Sequence, residues 1–150
     1  MALFSYQTLD TIADTYIPAL AFIALISMAA KLGQPRLALK ELCAFLLLAF
    51  LAYGLMFIDS AHSLWASRGW DYSTHTATAA ACVWYLFWLH KSRRVLAGFF
   101  HQPWVYIFWP VSLIGYLALM RYQQYHSWPD MLSTLLALLP LLLLHYFATR

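Results

Sequence analysis

Two short polar segments interrupt an apolar chain: Asp71-Tyr72-Ser73-Thr74-His75-Thr76 and His126-Ser127-Trp128-Pro129-Asp130. Each stands at the mouth of a long apolar run, where an imidazole or a carboxylate is costly to bury without a partner. Two imidazoles and a carboxylate that converge are the equipment of metal-independent phosphate-ester hydrolysis. One imidazole attacks phosphorus and the other protonates the leaving oxygen. His126 and Asp130 are four residues apart, within reach on one helical face, although Pro129 marks a first helical turn and leaves His126 in the preceding loop. A carboxylate at a helix start can still reach back and fix the tautomer of the imidazole it meets. His75 supplies the second imidazole. Ser73, Thr74 and the first N–H groups of the helix that starts there form an anion site, because a helix N-terminus carries partial positive charge and unpaired donors.

Whether these groups meet depends on the elements that carry them. Of 150 residues, 63% are hydrophobic and 10% charged, against roughly a quarter charged in an ordinary globular domain. The composition is that of an integral membrane protein, expected as one domain over residues 1–150. Five apolar runs can be drawn: Ile12 to Ala30, Leu37 to Ile58, His75 to His90, Pro103 to Met120 and Pro129 to Ala148. Each spans, or nearly spans, a hydrocarbon core of ~30 Å at ~1.5 Å per residue. The expected fold is therefore all-α, a polytopic membrane bundle of about five transmembrane helices. The third run is the shortest and holds Thr76 and Thr78 near its start, which suits a helix whose mouth faces protein or water.

Helix punctuation agrees with this division. Gly33 and Pro35 close the first run, Gly69 breaks the chain before the third, and Pro103 and Pro129 sit at helix starts. Pro18, Pro110 and Pro140 fall inside runs and predict kinks. The first stretch lacks a positive n-region and carries Asp10 and Asp14 ahead of its apolar run, so no cleavable signal peptide is expected.

Loop charge sets the expected orientation. Lys31, Arg36, Lys40, Lys91, Arg93, Arg94 and Arg150 fall on one side of the five runs, and only Arg68 and Arg121 on the other. The positive-inside rule gives the richer side to the cytoplasm, with the N-terminus outside and the C-terminus cytoplasmic. Asp10, Asp14, Asp59, Asp71 and Asp130 then lie outside, and both polar segments share that face. In a bacterial inner membrane the site would face the periplasm.

Other classes are excluded or weakened. The charge of +3 is spread through short loops and offers no basic stripe for nucleic acid. Cys43 and Cys82 lie in apolar runs without a CxxC partner and read as buried apolar fillers. Asp59 and His62, with His75, His126 and Asp130, make a His/carboxylate set, but its spacing matches no metal motif. No metal or cofactor is expected. His90, His101 and His145 read as interface residues, and the many Trp and Tyr near run ends as aromatic belts.

Ser73-Thr74-His75 resembles the Ser-Gly-His element of the type-2 phosphatidic acid phosphatase superfamily of membrane lipid phosphatases. His126-x-x-x-Asp130 resembles that superfamily's His-x-x-x-Asp element, and Asp71 to Thr76 is similar to its sphingomyelin-synthase-like branch. The resemblance covers roughly Asp59 to the C-terminus, with short motifs in matching order. It implies His126 as the nucleophile that forms a phosphohistidine, Asp130 as the residue that orients it, and His75 as the general acid. It also implies Ser73 and the Thr74 amide as phosphate ligands. The chain departs from the pattern in three places. The first motif has no match except nearby Arg68, Thr74 stands where relatives have Gly, and Met120 stands where they have Arg, with Arg121 one residue away.

Two function classes follow. One is a lipid phosphatase or phosphotransferase acting on a phosphomonoester or pyrophosphate of the polyprenyl pyrophosphate or phosphatidate kind, with Arg68 and Arg121 as candidate substrate-phosphate ligands. The other is a non-catalytic membrane subunit or degenerate relative that binds a lipid headgroup or a partner protein. Membrane lipids are partners in both, and assembly as a homo- or hetero-oligomer is left open.

Overall fold

The structure, a computed structural model, describes residues 5–91 and 102–149. The helices run in the order α1 Tyr6–Ala29, α2 Pro35–His62, α3 Thr74–Lys91, α4 Val105–Tyr122 and α5 Trp128–Ala148. A 3-10 turn covers Ala66–Arg68 in the α2–α3 link, and no strand occurs among the described residues. The chain is thus all-α and membrane-like. Arg93, Arg94, His101 and Arg150 lie outside the described residues.

Local chemistry explains the boundaries. The Ser5 hydroxyl accepts the Thr8 amide at 3.1 Å, so α1 begins six residues before Ile12 and includes a polar first turn. Pro35 opens α2, where its missing N–H costs nothing, and α2 ends on Ser63 in the left-handed region (φ 52). At the start of α5, the Ser127 side chain takes the Asp130 amide while the Asp130 carboxylate takes the Ser127 amide, a reciprocal cap. Pro18, Pro110 and Pro140 lie inside α1, α4 and α5, which continue through them.

Among the described residues four helices, α1, α2, α4 and α5, are long and apolar enough to cross a membrane. Their outward faces carry large apolar side chains such as Phe22, Phe50, Phe57, Ile114 and Leu136, which suits hydrocarbon. The third run behaves differently. α3 carries Thr74, His75, Thr76, Thr78, His90 and Lys91 in 18 residues, and it packs against each of the other four helices. Ala77, Ala79, Ala80 and Ala81 are all buried, and such small side chains let neighbouring backbones approach closely. Below them Tyr85, Leu86 and Leu89 are fully enclosed and anchor the main core with Leu48, Trp88 and Leu138. α3 is therefore the axis of the bundle, and Ser73 and Thr76 at its N-terminal end are enclosed by protein while His75 is exposed. Cys82 is buried on this axis, whereas Cys43 is exposed on α2. The expectation of a buried Cys43 fails because α2 turns that face outward.

Candidate functional site

The N-terminal turn of α3 is built by its own side chains. Ser73 is fully buried; its hydroxyl accepts the Thr76 amide at 3.2 Å and donates to the Thr76 hydroxyl at 2.7 Å. Its amide donates to Thr134 of α5 at 3.1 Å. Tyr72, just before, sends its hydroxyl to the Ala52 carbonyl of α2 at 2.7 Å. Burial, and secondarily the Asp59 carboxylate, push the Tyr72 phenol well above its ordinary pKa. These bonds fix the entry of α3 against α2 and α5. They leave Thr74 and His75 in the first turn, where amide groups have no intrahelical acceptor.

The second segment is tied to the first through Asp130. One carboxylate oxygen accepts the Asp71 amide at 2.9 Å. The other accepts the Ser127 amide at 2.8 Å and the Ser127 hydroxyl at 2.6 Å. α1 holds the same loop from the other side: Tyr125 donates its hydroxyl to the Asp10 carboxylate, and the Gln123 side-chain amide reaches that carboxylate at 3.4 Å. His126 lies between these two anchorages.

The result is a cavity of about 490 Å³ lined by Met56 and Asp59 of α2, Asp71, Thr74 and His75 at the α3 entry, and His126. The rings of His75 and His126 stand 6.0 Å apart, centre to centre, tilted by 52°. A group small enough to stand between the two rings would lie within ~3 Å of a nitrogen of each. Thr74 and His75 also line a smaller cavity of about 230 Å³ with Asp14, Tyr53 and Thr78, so His75 is open on two sides.

No family model, curated protein or solved structure matches this chain.

The candidate residues are distributed as follows. His75, His126 and Thr74 share the cavity. Asp130 does not hydrogen-bond to His126; both its oxygens are engaged by the Asp71 amide and by Ser127. The carboxylate beside the imidazole is Asp71, whose Oδ2 lies 4.0 Å from His126 Nδ1. Asp130 thus positions both segments rather than the ring itself. Ser73 is withdrawn from the cavity, because its hydroxyl is committed to capping α3. Arg68 lines a separate cavity, and one guanidinium nitrogen donates to the Leu64 carbonyl at 2.9 Å. Arg121 is exposed in the last turn of α4 and is not among the residues lining the histidine cavity.

Sequence reasoning assigned no role to Asp71 or Asp10. Asp71 was visible inside the motif, but its pairing with His126 depends on how the α2–α3 link folds. Asp10 carries no local signal for its contact with a loop more than a hundred residues away. Among the described residues, no group of three His, Cys, Asp or Glu is spaced to hold a metal ion.

Burial lowers the pKa of His126 from its ordinary value; the Asp71 carboxylate opposes this, the nearby His75 adds to it, and Asp130 opposes it. The side chain is 11% exposed, whereas that of Asp71 is 78% exposed. Water screens the carboxylate, so desolvation wins. At 4.0 Å the Asp71 carboxylate is beyond hydrogen-bond distance, so its effect on the ring is through charge alone.

Proposed function

We propose that this protein is a membrane lipid phosphatase or phosphotransferase that works through a phosphohistidine on His126. The observation that carries the reading is the convergence of two imidazoles, 6.0 Å apart, on one cavity at the N-terminus of a helix. Nε2 of neutral His126 attacks phosphorus. The bond from phosphorus to the leaving oxygen breaks, its electron pair stays on that oxygen, and the His75 imidazolium supplies the proton. Water, or an alcohol acceptor in a transfer reaction, then attacks the phosphohistidine. Neutral His75 takes the proton of that nucleophile, and the P–N electron pair returns to His126. The unpaired amides of Thr74 and His75, with the helix dipole behind them, stabilise charge on the phosphoryl oxygens.

The substrate under this reading is a lipid phosphomonoester or pyrophosphate, of the phosphatidate or polyprenyl pyrophosphate kind. The site acts at the non-cytoplasmic face, which in a bacterial inner membrane is the periplasmic one. The support for that face is the split of Lys and Arg between the two sides of the sequence. Phosphate release from a panel of lipid phosphates in detergent tests the reading, with His126→Ala and His75→Ala beside the wild type. Release by the wild type, lost in both variants, is the expected result. Absence of release from every substrate, or equal release by the variants, overturns it.

One observation favours a second reading, a non-catalytic lipid-headgroup binder or a membrane subunit. Asp59 and Asp71 line the cavity, and neither Lys nor Arg is among its lining residues. A phosphoryl group developing charge there has amide dipoles but no guanidinium to meet it. Headgroup binding without turnover, unaffected by His126→Ala, would select this alternative.

A further inference from the structure

Charge is sorted between two cavities at the α2–α3 end of the bundle. The histidine cavity has carboxylates and neither Lys nor Arg in its lining. A second cavity, of about 220 Å³, is lined by Leu64, Trp65, Arg68, Trp70, Ser133 and Ala137, with no carboxylate among them. The two share no lining residue.

The second cavity is shaped by the 3-10 turn. Gly69 closes that turn with φ +71, a backbone conformation that a side chain would strain. The turn folds Arg68 back so that Nη1 donates to the Leu64 carbonyl at 2.9 Å. A guanidinium has five N–H donors, and no other described residue accepts from this one. The Trp65 indole is buried and held by its N–H to the Ser133 hydroxyl at 2.8 Å, while Trp70 is 40% exposed. Ser133 and Ala137 lie five and nine residues into α5, on the order of 7 and 13 Å from its start at ~1.5 Å per residue. The cavity therefore runs from a cationic, indole-flanked mouth down to an apolar wall. Leu64 of the lining is exposed.

We infer that this cavity binds the phosphodiester headgroup of an anionic phospholipid, as a site separate from the histidine cavity. The Arg68 guanidinium, exposed and held at one nitrogen, has donors left over for a phosphate oxygen pair. Indoles occupy the depth at which headgroups meet hydrocarbon, and the Ala137 end leaves the glycerol and first methylenes against an apolar surface. The volume suits a headgroup, with the acyl chains lying outside along α2 and α5. The single uncompensated cation selects net negative lipids over zwitterionic ones, in which an ammonium would face the same guanidinium. This inference does not depend on catalysis by the histidines.

Thermal unfolding of the full chain in detergent tests it, with phosphatidylglycerol, phosphatidylcholine or inorganic phosphate added at equal concentration. Native mass spectrometry of the same samples gives relative lipid affinity. Phosphatidylglycerol should raise the unfolding temperature more than phosphatidylcholine, and inorganic phosphate should have no effect. Arg68→Gln should weaken phosphatidylglycerol binding about fivefold, the loss expected for one cation at a membrane surface. Arg68→Lys should keep part of the preference, and Arg121→Gln, which removes a cation outside the cavity, should keep all of it. Equal effects of the two lipids, an unchanged preference in Arg68→Gln, or an equal loss in Arg121→Gln would each overturn the inference. So would inorganic phosphate reproducing the shift, which would mean adventitious ion binding only.

Discussion

Two polar clusters sit at opposite ends of the bundle and resolve the cost of polar groups in an apolar chain in opposite ways. Near the α1–α2 turn, Lys31 Nζ lies 2.8 and 2.7 Å from the two carboxylate oxygens of Glu41, which is fully buried. Tyr85 donates to the Glu41 carbonyl at 3.2 Å, and Nε2 of buried His145 lies 3.2 Å from the Ala44 carbonyl. The Lys31 and Glu41 charges close on each other there, each the other's partner. Near the α2–α3 link, two imidazoles and two carboxylates surround an open cavity and make few bonds among themselves. A pair that satisfies itself is structural, whereas groups held apart around a space by bonds made elsewhere are poised for something that fills it.

That contrast can be broken most sharply at the histidines. His126→Ala and His75→Ala should each reduce phosphate release by about 10²–10⁴-fold, the range of acid–base and nucleophilic groups. Both should unfold within a few degrees of the wild type, because neither ring supports the core. A large loss of thermal stability in either variant would place the outer cluster with the inner one.

The inner pair should show the reverse pattern. Glu41→Ala should destabilise the chain by about 3–5 kcal/mol, because Lys31 is left without its counter-charge. Lys31→Met combined with Glu41→Leu should recover most of that loss in thermal unfolding, since an apolar pair of similar volume replaces the ion pair. Failure of the double variant to recover would give the pair a role beyond mutual satisfaction.

Asp130 belongs partly to each pattern. Asp130→Ala removes the acceptor of three hydrogen bonds, and loss of the reciprocal cap alone costs about 0.5–2 kcal/mol. It should lower the unfolding temperature and reduce activity together, by releasing the loops that carry Asp71 and His126. Activity lost at unchanged stability would instead indicate direct contact with substrate.

The smallest effect concerns pH. Burial holds His126 below its ordinary pKa, and attack requires the neutral ring, so the acidic limb of activity should lie below the ordinary imidazole value. Asp71 raises that pKa, and Asp71→Asn should therefore move the limb to still lower pH, by a fraction of a unit given the exposure of the carboxylate. The linkage has the same sign. The folded chain binds fewer protons at His126 than the unfolded chain, so this contribution to stability is complete above the ordinary value and falls away as pH drops toward the depressed one. A limb that moves upward in Asp71→Asn would mean that another group controls it.

Much of the fold was legible in composition and punctuation. The five runs predict the five helices to within a few residues at most ends, because apolar length and proline position act locally. The standing of α3 was not legible. Its short length and its threonines suit a mouth that faces protein or water, but only packing shows that it is the axis on which the others close. In the site, His75 and His126 were legible as costly residues at helix mouths. Their neighbours were not, since Asp130 and Ser73 turn out to be engaged in capping and Asp71 faces the ring. Local spacing tells which groups can reach, and competition among donors decides which of them do.

Composition and run length alone specify a helical, membrane-like chain with two polar segments at helix starts. Residue type and periodicity are enough for that, since each apolar run must satisfy its own backbone. Packing between distant segments is what brings the two imidazoles to one cavity, sets Asp71 rather than Asp130 beside His126, and turns Arg68 to a different cavity. Those outcomes depend on long-range hydrogen bonds through Asp130, Tyr72 and Asp10, whose partners lie between 20 and 115 residues away in the chain, apart from the local Ser127 cap.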